Sequence, residues 1–348
     1  MMHIENRVNI LGVGVNATSM DDAVTRLVEA RRNGESGYVC VTGAHGVMES
    51  QRDEQLRQIH NRSLMTVPDG MPNVWLGHEY GFVKMGRVYG PDLMLALCAA
   101  TSEVVECRKS EVGSRGETVE GGAWKVECEQ QHPTFNIQHP TTDKKCLTHF
   151  LYGATEETLR KLKANLEQRF PGIQIVGTYA PPFRPLTEEE ELDLRRQVAA
   201  CKPDFFWVGL STPKQERFMF AHCAKMNVGY GTWDVEGEQE SVEGGTWKVG
   251  SGEQHPTSNI LLSTKKYPLD AGIFIGVGAA FDIHAGNYKD SPQWIQNAGL
   301  QWLHRLCKEP RRLWRRYLWI VPGFLWLSFL QLMGLKRFAS TEDCERKA

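Results

Sequence analysis

Seven short apolar runs set the terms on which this chain can fold: Val8 to Leu11, Tyr38 to Thr42, Leu64 to Val67, Phe150 to Tyr152, Ile173 to Tyr179, Phe205 to Gly209 and Ile273 to Val277. Runs of this length without polar alternation read as strands buried on both faces, the mark of a parallel sheet. Helical segments with recognisable start signals lie between them. Ser19 precedes Asp22, Thr155 precedes Glu156-Glu157, Thr187 precedes Glu188 to Glu191, and Pro213 opens a segment reaching Lys225. This alternation predicts an α/β fold with a Rossmann-like, doubly wound, mostly parallel sheet covered on both faces.

At 348 residues and 41% hydrophobic, the chain has ample material for a buried core. Its net charge of −2 excludes a globally basic nucleic-acid binder, so any attraction for polyanions has to be local. Nine cysteines fall without a Cys-x-x-Cys pair, which favours reduced, buried thiols over a zinc site. Met1 to Arg7 is polar and carries no apolar signal segment, so a cytoplasmic protein is expected.

Two stretches break the alternation and resemble each other. Glu117 to Ile137 matches Glu240 to Ile260 at 14 of 21 positions, at a constant offset of 123 residues. Solenoid repeats would recur regularly and build a shared core, whereas these Gly-Gly and His-Pro segments read as copies of one insert dropped into loops. A His-rich metal or ligand module is the alternative. The expected organisation is an α/β domain over 1–300, interrupted near 103–147 and 227–269, followed by a helical appendage over 301–348.

That appendage carries the local positive charge. Arg305, Arg311, Arg312, Trp314, Arg315, Arg316 and Tyr317 lead into an uncharged stretch from Leu318 to Leu335. Guanidinium groups hold phosphate oxygens bidentately, and an arginine-rich, aromatic approach to an apolar helix suits an anionic membrane surface. The uncharged stretch has the minimum length for a spanning helix, yet Pro322, Gly323, Gln331 and Gly334 interrupt it and basic residues flank both ends. An interfacial or shallowly re-entrant helix is therefore expected.

The candidate chemistry gathers at strand ends and helix starts. Asp69, in Val67-Pro68-Asp69-Gly70, sits in ordinary turn chemistry, but a carboxylate at the carboxyl edge of a parallel strand faces the ligand crevice and can act as a general base. Thr42 closes the preceding strand, and His45 follows it either as a loop histidine or as a substrate contact. Arg87 precedes a Gly-Pro helix start, a place that attracts phosphate. Gln215 lies in the first turn after a strand, within reach of a ligand, while Gly276-x-Gly278 forms a tight turn leading to Asp282, which could accept from a ribose or base. Gly12-x-Gly14-x-x-Ala17 fits a dinucleotide fingerprint superficially, without the acidic residue expected after the next strand. It leaves a nicotinamide-dependent oxidoreductase as a rival reading. No Asp-x-Asp occurs in the chain, so arginines rather than a metal would stabilise a diphosphate leaving group.

Taken in order, Thr42, Pro68-Asp69-Gly70-Met71, Arg87-Val88-x-Gly90-Pro91-Asp92-Leu93, Pro213-Lys214-Gln215-Glu216, Gly276-Val277-Gly278-Ala279-Ala280-Phe281-Asp282 and Gly299-Leu300-x-Trp302-x-x-Arg305-x-x-x-Glu309-Pro310-x-Arg312 resemble the WecG/TagA/CpsF glycosyltransferases. The resemblance implies inverting transfer of an N-acetylhexosamine, typically N-acetylmannosamine, from a UDP-sugar to a polyprenyl-diphosphate-linked sugar at the cytoplasmic membrane face, without a metal or other cofactor. It implies Asp69 as general base with Thr42 beside it. It further implies Arg87 and Gln215 on the donor, the Gly276–Asp282 turn on the uridine side, and Arg305 and Arg312 closing over a diphosphate. One departure stands out: many members carry an asparagine shortly after the threonine, where this chain has Gly43-Ala44-His45. A membrane-tethered scaffold without activity is the non-catalytic alternative, and the sequence leaves self-association open.

Overall fold

A computed structural model of the chain describes residues 6–102, 146–223 and 268–339. Both repeated segments, the end of the Pro213 helix at Lys225 and the last nine residues lie outside the described residues.

Among the described residues six strands form one sheet: β3 (Gly37–Thr42), β4 (Met65–Pro68), β5 (Thr148–Gly153), β6 (Gln174–Tyr179), β7 (Phe205–Gly209) and β8 (Ile273–Gly276), in the order β4-β3-β8-β7-β5-β6. Every neighbouring pair is parallel, as the unalternated apolar runs predict. Successive side chains go to opposite faces. Val39, Val41, Phe205, Trp207, Ile273 and Ile275 face a core built with α1 (Met20–Arg32), α5 (Gly90–Thr101), α6 (Glu156–Arg169) and α9 (Ala280–His284). Tyr38, Cys40, Phe206, Val208 and Phe274 face the opposite core, against α3 (Glu54–Arg62), α7 (Glu188–Cys201) and α8 (Lys214–His222). Ring stacking runs across this second face, with Phe206 at 5.0 Å from Phe150 and 4.9 Å from Phe274.

The helix starts follow the sequence. The side chains of Ser19 and Thr155 accept from the backbone N–H of Asp22 and Thr158, and Thr187 forms a reciprocal capping box with Glu190.

The amino terminus differs from expectation. Arg7–Ile10 is β1, but it lies outside the main sheet and pairs antiparallel with β2 (Val13–Asn16). Leu11 and Gly12 both take positive φ, 50° and 85°, which closes a two-residue hairpin. The Gly12-x-Gly14 pattern is therefore a hairpin turn followed by a strand. Gly14 N donates to Asn61 Oδ1 at 2.7 Å, and no helix starts there to receive a pyrophosphate. The dinucleotide reading falls with it.

The chain ends in α10 (Gln293–Asn297), α11 (Gln301–Lys308) and α12 (Pro310–Leu332). α12 passes through Pro322 and Gly323 without a break, contrary to the interruption expected there. Burial of Ile320 and Phe324 on either side holds it against the hairpin, in a core shared with Val8, Ile10, Val13, Val47 and Met48. Gln331 pins the far end: its Oε1 accepts from Leu11 N at 2.9 Å and its Nε2 donates to Asn9 O at 2.7 Å. Among the described residues no helix is long and apolar enough to cross a membrane.

Two stability predictions follow from this packing. His149 is buried, accepts from Trp207 Nε1 at Nδ1 (3.0 Å), and so carries its proton on Nε2 toward Thr101 Oγ1 (2.8 Å). Burial pushes its pKa down to about 4. The unfolded chain then takes up this proton near pH 6.5 while the folded chain resists until about 4, so stability falls by about 3 kcal/mol as pH drops through that window. Chemical denaturation at several pH values should show a shallower fall in His149→Gln; an equal fall would acquit His149. Truncating Phe324 to alanine should cost about 3–5 kcal/mol, because the cavity opens beneath the hairpin. A loss below about 1 kcal/mol would mean that α12 does not share this core.

Candidate functional site

The connection leaving β3 runs outward to β4, whereas β8 is reached from β7 on the other side, so strand order reverses at the β3/β8 pair. Doubly wound sheets bind ligands at the carboxyl ends of strands at such a point. Thr42, Asp69 and Gly276 all stand at this edge.

Asp69 follows the last residue of β4. Its backbone N–H donates to Thr42 O at 3.1 Å, which ties the ends of β3 and β4 together. Its Oδ1 accepts from Gly90 N at 3.0 Å, at the first residue of α5, where helical N–H groups have no intrahelical partner. Gly90 fits closely: a Cβ there would lie 3.3 Å from Val277 O. Among the described residues Oδ2 carries no hydrogen bond, and it faces Gly43. Burial raises the Asp69 pKa above the ordinary aspartate value, despite the Gly90 N–H, Arg305 and Arg87, each of which favours the ionised form. A solvent-facing edge remains. Such a group can accept a proton from a hydroxyl delivered to that edge.

Thr42 is buried at 2% exposure, and its Oγ1 has no partner among the described residues. Asn73, on α4 (Met71–Glu79), donates from Nδ2 to Thr42 O at 2.8 Å and leaves its own Oδ1 buried and unpartnered. Buried polar atoms are ordinarily satisfied, so two orphans beside Asp69 mark a place for an additional polar group. Asn73 carried no signal of its own in the sequence beyond its closeness to Asp69.

Arg87 lines the next wall and is held rigidly. It donates to Gln296 Oε1 at 2.7 Å, lies 3.7 Å from Asp92 Oδ2 and stacks 4.6 Å over the Tyr89 ring. Asp290 anchors the same wall, accepting from Tyr89 Oη (2.9 Å), Gln296 Nε2 (3.1 Å), Gln301 Nε2 (3.3 Å) and Ser291 N (2.7 Å). Neither Asp290 nor these glutamines belong to a recognisable motif. Arg305, on α11, stands close enough to interact with Asp69 and Tyr89. Burial would loosen its proton, but these neighbours outweigh that effect and raise its pKa, so it stays a cation.

At the ends of β7 and β8, Gln215 is buried in the first turn of α8, and its Oε1 accepts from Gly278 N at 3.0 Å. Gly278 has φ +53°, and a Cβ at Gly276 would come within 2.8 Å of Met219 Cε and 3.1 Å of Gln215 Cδ. Glycine at both positions lets the β8–α9 turn close against Gln215. Asp282 engages a different neighbourhood: exposed on α9, it accepts weakly from Asn287 Nδ2 at 3.4 Å, and Asn287 also bonds Thr158 of α6.

His45 sits in α2 (Ala44–Glu49), where Arg316 of α12 donates to its ring (2.8 Å to Nδ1) and Glu49 Oε1 lies 3.3 Å from Nε2. The residue at the departure from the family pattern is thus engaged by the carboxyl-terminal helix. Arg312 belongs to α12, and its side chain lies outside what the structure describes. Among the described residues no group of three or more His, Cys, Asp and Glu is placed to hold a metal ion.

Two curated relatives are each named N-acetylglucosaminyldiphosphoundecaprenol N-acetyl-beta-D-mannosaminyltransferase. The one from Bacillus subtilis strain 168 is 24% identical over 176 residues, covering 51% of this chain and 50% of that protein. The one from Bacillus spizizenii strain W23 is also 24% identical over 176 residues, covering 51% of this chain and 49% of its own length. The chain thus aligns with about half the length of the curated relatives it matches. The profile of the glycosyl transferase WecG/TagA/CpsF family matches over residues 8–141, 137–233 and 249–338, and the chain belongs to that family.

Proposed function

We propose that this chain is an inverting, metal-independent glycosyltransferase that moves an N-acetylhexosamine, N-acetylmannosamine in this reading, from a UDP-sugar to a polyprenyl-diphosphate-linked sugar. The family and the names of its relatives support the reaction class and the acceptor. The observation that carries the reading is Asp69 itself, a carboxylate of raised pKa at the strand-order reversal with Arg87 and Arg305 acting on it.

In this reading the acceptor hydroxyl gives its proton to Asp69 Oδ2 while its oxygen attacks the anomeric carbon. The bond from that carbon to the donor diphosphate breaks, and UDP leaves with the electron pair. A single displacement inverts the anomeric centre. Arg305 and Arg87 stabilise the charge growing on the diphosphate, with Arg312 as a further candidate, while Gln215 and the Gly276–Gly278 turn hold the donor. Asp282 is assigned to the uridine side and His45 to a contact near the sugar, on the resemblance alone.

The outer face of α12 exposes Leu318, Leu325, Trp326, Phe329 and Leu332, and the same helix carries the exposed Arg311 and Arg315 in its first turns. We assign this face to peripheral docking on the anionic cytoplasmic leaflet, where the lipid acceptor resides.

Asp69→Asn should fold, bind UDP as the parent does and lose about 10²–10⁴ in transfer to a lipid-diphosphate-linked N-acetylglucosamine. Comparable turnover in that variant would remove Asp69 as the base. In vesicle flotation, the protein should partition to anionic vesicles over zwitterionic ones, and replacing Leu325 and Phe329 together by serine should abolish the partition. Equal binding by the double variant would refute the membrane assignment.

A further inference from the structure

Glu216 is a buried carboxylate for which the mechanism above has no use. It lies in the first turn of α8 at 1% exposure. A single oxygen, Oε1, accepts twice: from Thr212 Oγ1 at 2.9 Å and from Gln215 Nε2 at 3.0 Å. Its Oε2 is buried without a partner among the described residues. Removing a carboxylate from water is costly, and a surface residue in a first helical turn would gain the same interaction with the helix ends without that cost. What the buried position adds is the pair of bonds made by Oε1.

Those bonds extend beyond α8. Gln215 gives Nε2 to Glu216 and accepts at Oε1 from Gly278 N, so Thr212, Glu216, Gln215 and Gly278 form one continuous chain of hydrogen bonds. The chain joins the loop after β7 to the turn after β8, at the carboxyl ends of two paired strands. It also fixes which way the Gln215 amide points. An amide whose two ends are chemically different can turn over by half a rotation, and a strong acceptor on the nitrogen side selects one orientation. In the selected orientation the oxygen faces Gly278 and the nitrogen faces Glu216.

We propose that Glu216 is a positioning residue: it acts through Gln215 to lock the Gly276–Gly278 turn in the shape that receives the nucleoside diphosphate. This rests on the donor-binding role given to that turn above. The inference is specific in what it demands of position 216, namely an acceptor oxygen at the place of Oε1.

The test compares Glu216→Gln, which keeps an acceptor oxygen, with Glu216→Met, which removes it, and with Gln215→Ala alone and combined with Glu216→Met. Donor KM and kcat, UDP affinity by calorimetry and the Gly278 amide resonance are measured in each. Glu216→Gln should stay close to the parent. Glu216→Met should raise donor KM and weaken UDP by about tenfold, the worth of one positioning hydrogen bond, with kcat little changed. The double variant should be no worse than Gln215→Ala, and the Gly278 resonance should move in Glu216→Met but not in Glu216→Gln. Glu216→Asp, which withdraws the oxygen but keeps the carboxylate, should shift KM the same way and serves if Glu216→Met does not fold. Additive losses in the double variant, equal damage from Glu216→Gln, or a Gly278 resonance unmoved by Glu216→Met or Glu216→Asp would overturn the proposal. The resonance is read without ligand, so failure of the parent to bind UDP would count against the donor reading and leave the brace to be judged by the resonance.

Discussion

The backbone N–H of Asp69 is bonded to the carbonyl of Thr42, and its carboxylate is bonded to the first amide of α5. These two bonds fix where the carboxylate stands relative to three strands at once, since Gly90 is wedged against the Val277 carbonyl after β8. The enclosure that makes the placement rigid also raises the Asp69 pKa. A carboxylate free in solvent would be a weaker base, and one fully paired with an arginine would be weaker still. Asp69 lies between these extremes, with one oxygen held by an amide and the other turned toward Gly43.

The arginine side of the crevice depends on a second tier of neutral and acidic groups. Arg87 stays in place because Gln296 and Tyr89 hold it, and both are tied to Asp290. Arg305 of α11 acts electrostatically on Asp69, so the carboxyl-terminal helices add a positive charge to this edge. Those helices are in turn anchored at the opposite end of the chain, where α12 shares a core with the amino-terminal hairpin and Arg316 bonds His45. The two ends of the described chain therefore share one core beside the parallel sheet.

Much of this was legible in the sequence, for physical reasons that also mark its limits. Five of the sheet strands show as unalternated apolar runs because both their faces are covered, whereas β6, at the sheet edge, exposes Gln174 and Val176. The hairpin misleads because Leu11-Gly12 supplies the positive φ of a tight turn, and its glycines mimic a nucleotide loop. The run through Pro322 is set by the burial of Ile320 and Phe324, which no local rule of helix breaking foresees. At the site, Asp69, Arg87 and Gln215 stand at strand ends and helix starts, where turn chemistry makes a residue visible. Asn73, Asp290 and Gln296 act through bonds between distant parts of the chain; Arg87 and Gln296 are 209 residues apart, and no spacing rule reaches that far. Glu216 was visible within its motif, but its role depends on the direction of a neighbouring amide.

The pH dependence of kcat/KM for the lipid-linked acceptor bears on Asp69 most directly, because it reports the ionisation of the free enzyme's base. The rate should fall on the acid side with a midpoint above the ordinary aspartate range, and the residual activity of Asp69→Asn should lack that limb. A profile flat through this region in the parent, or the same acid limb in Asp69→Asn, would show that another group takes the proton.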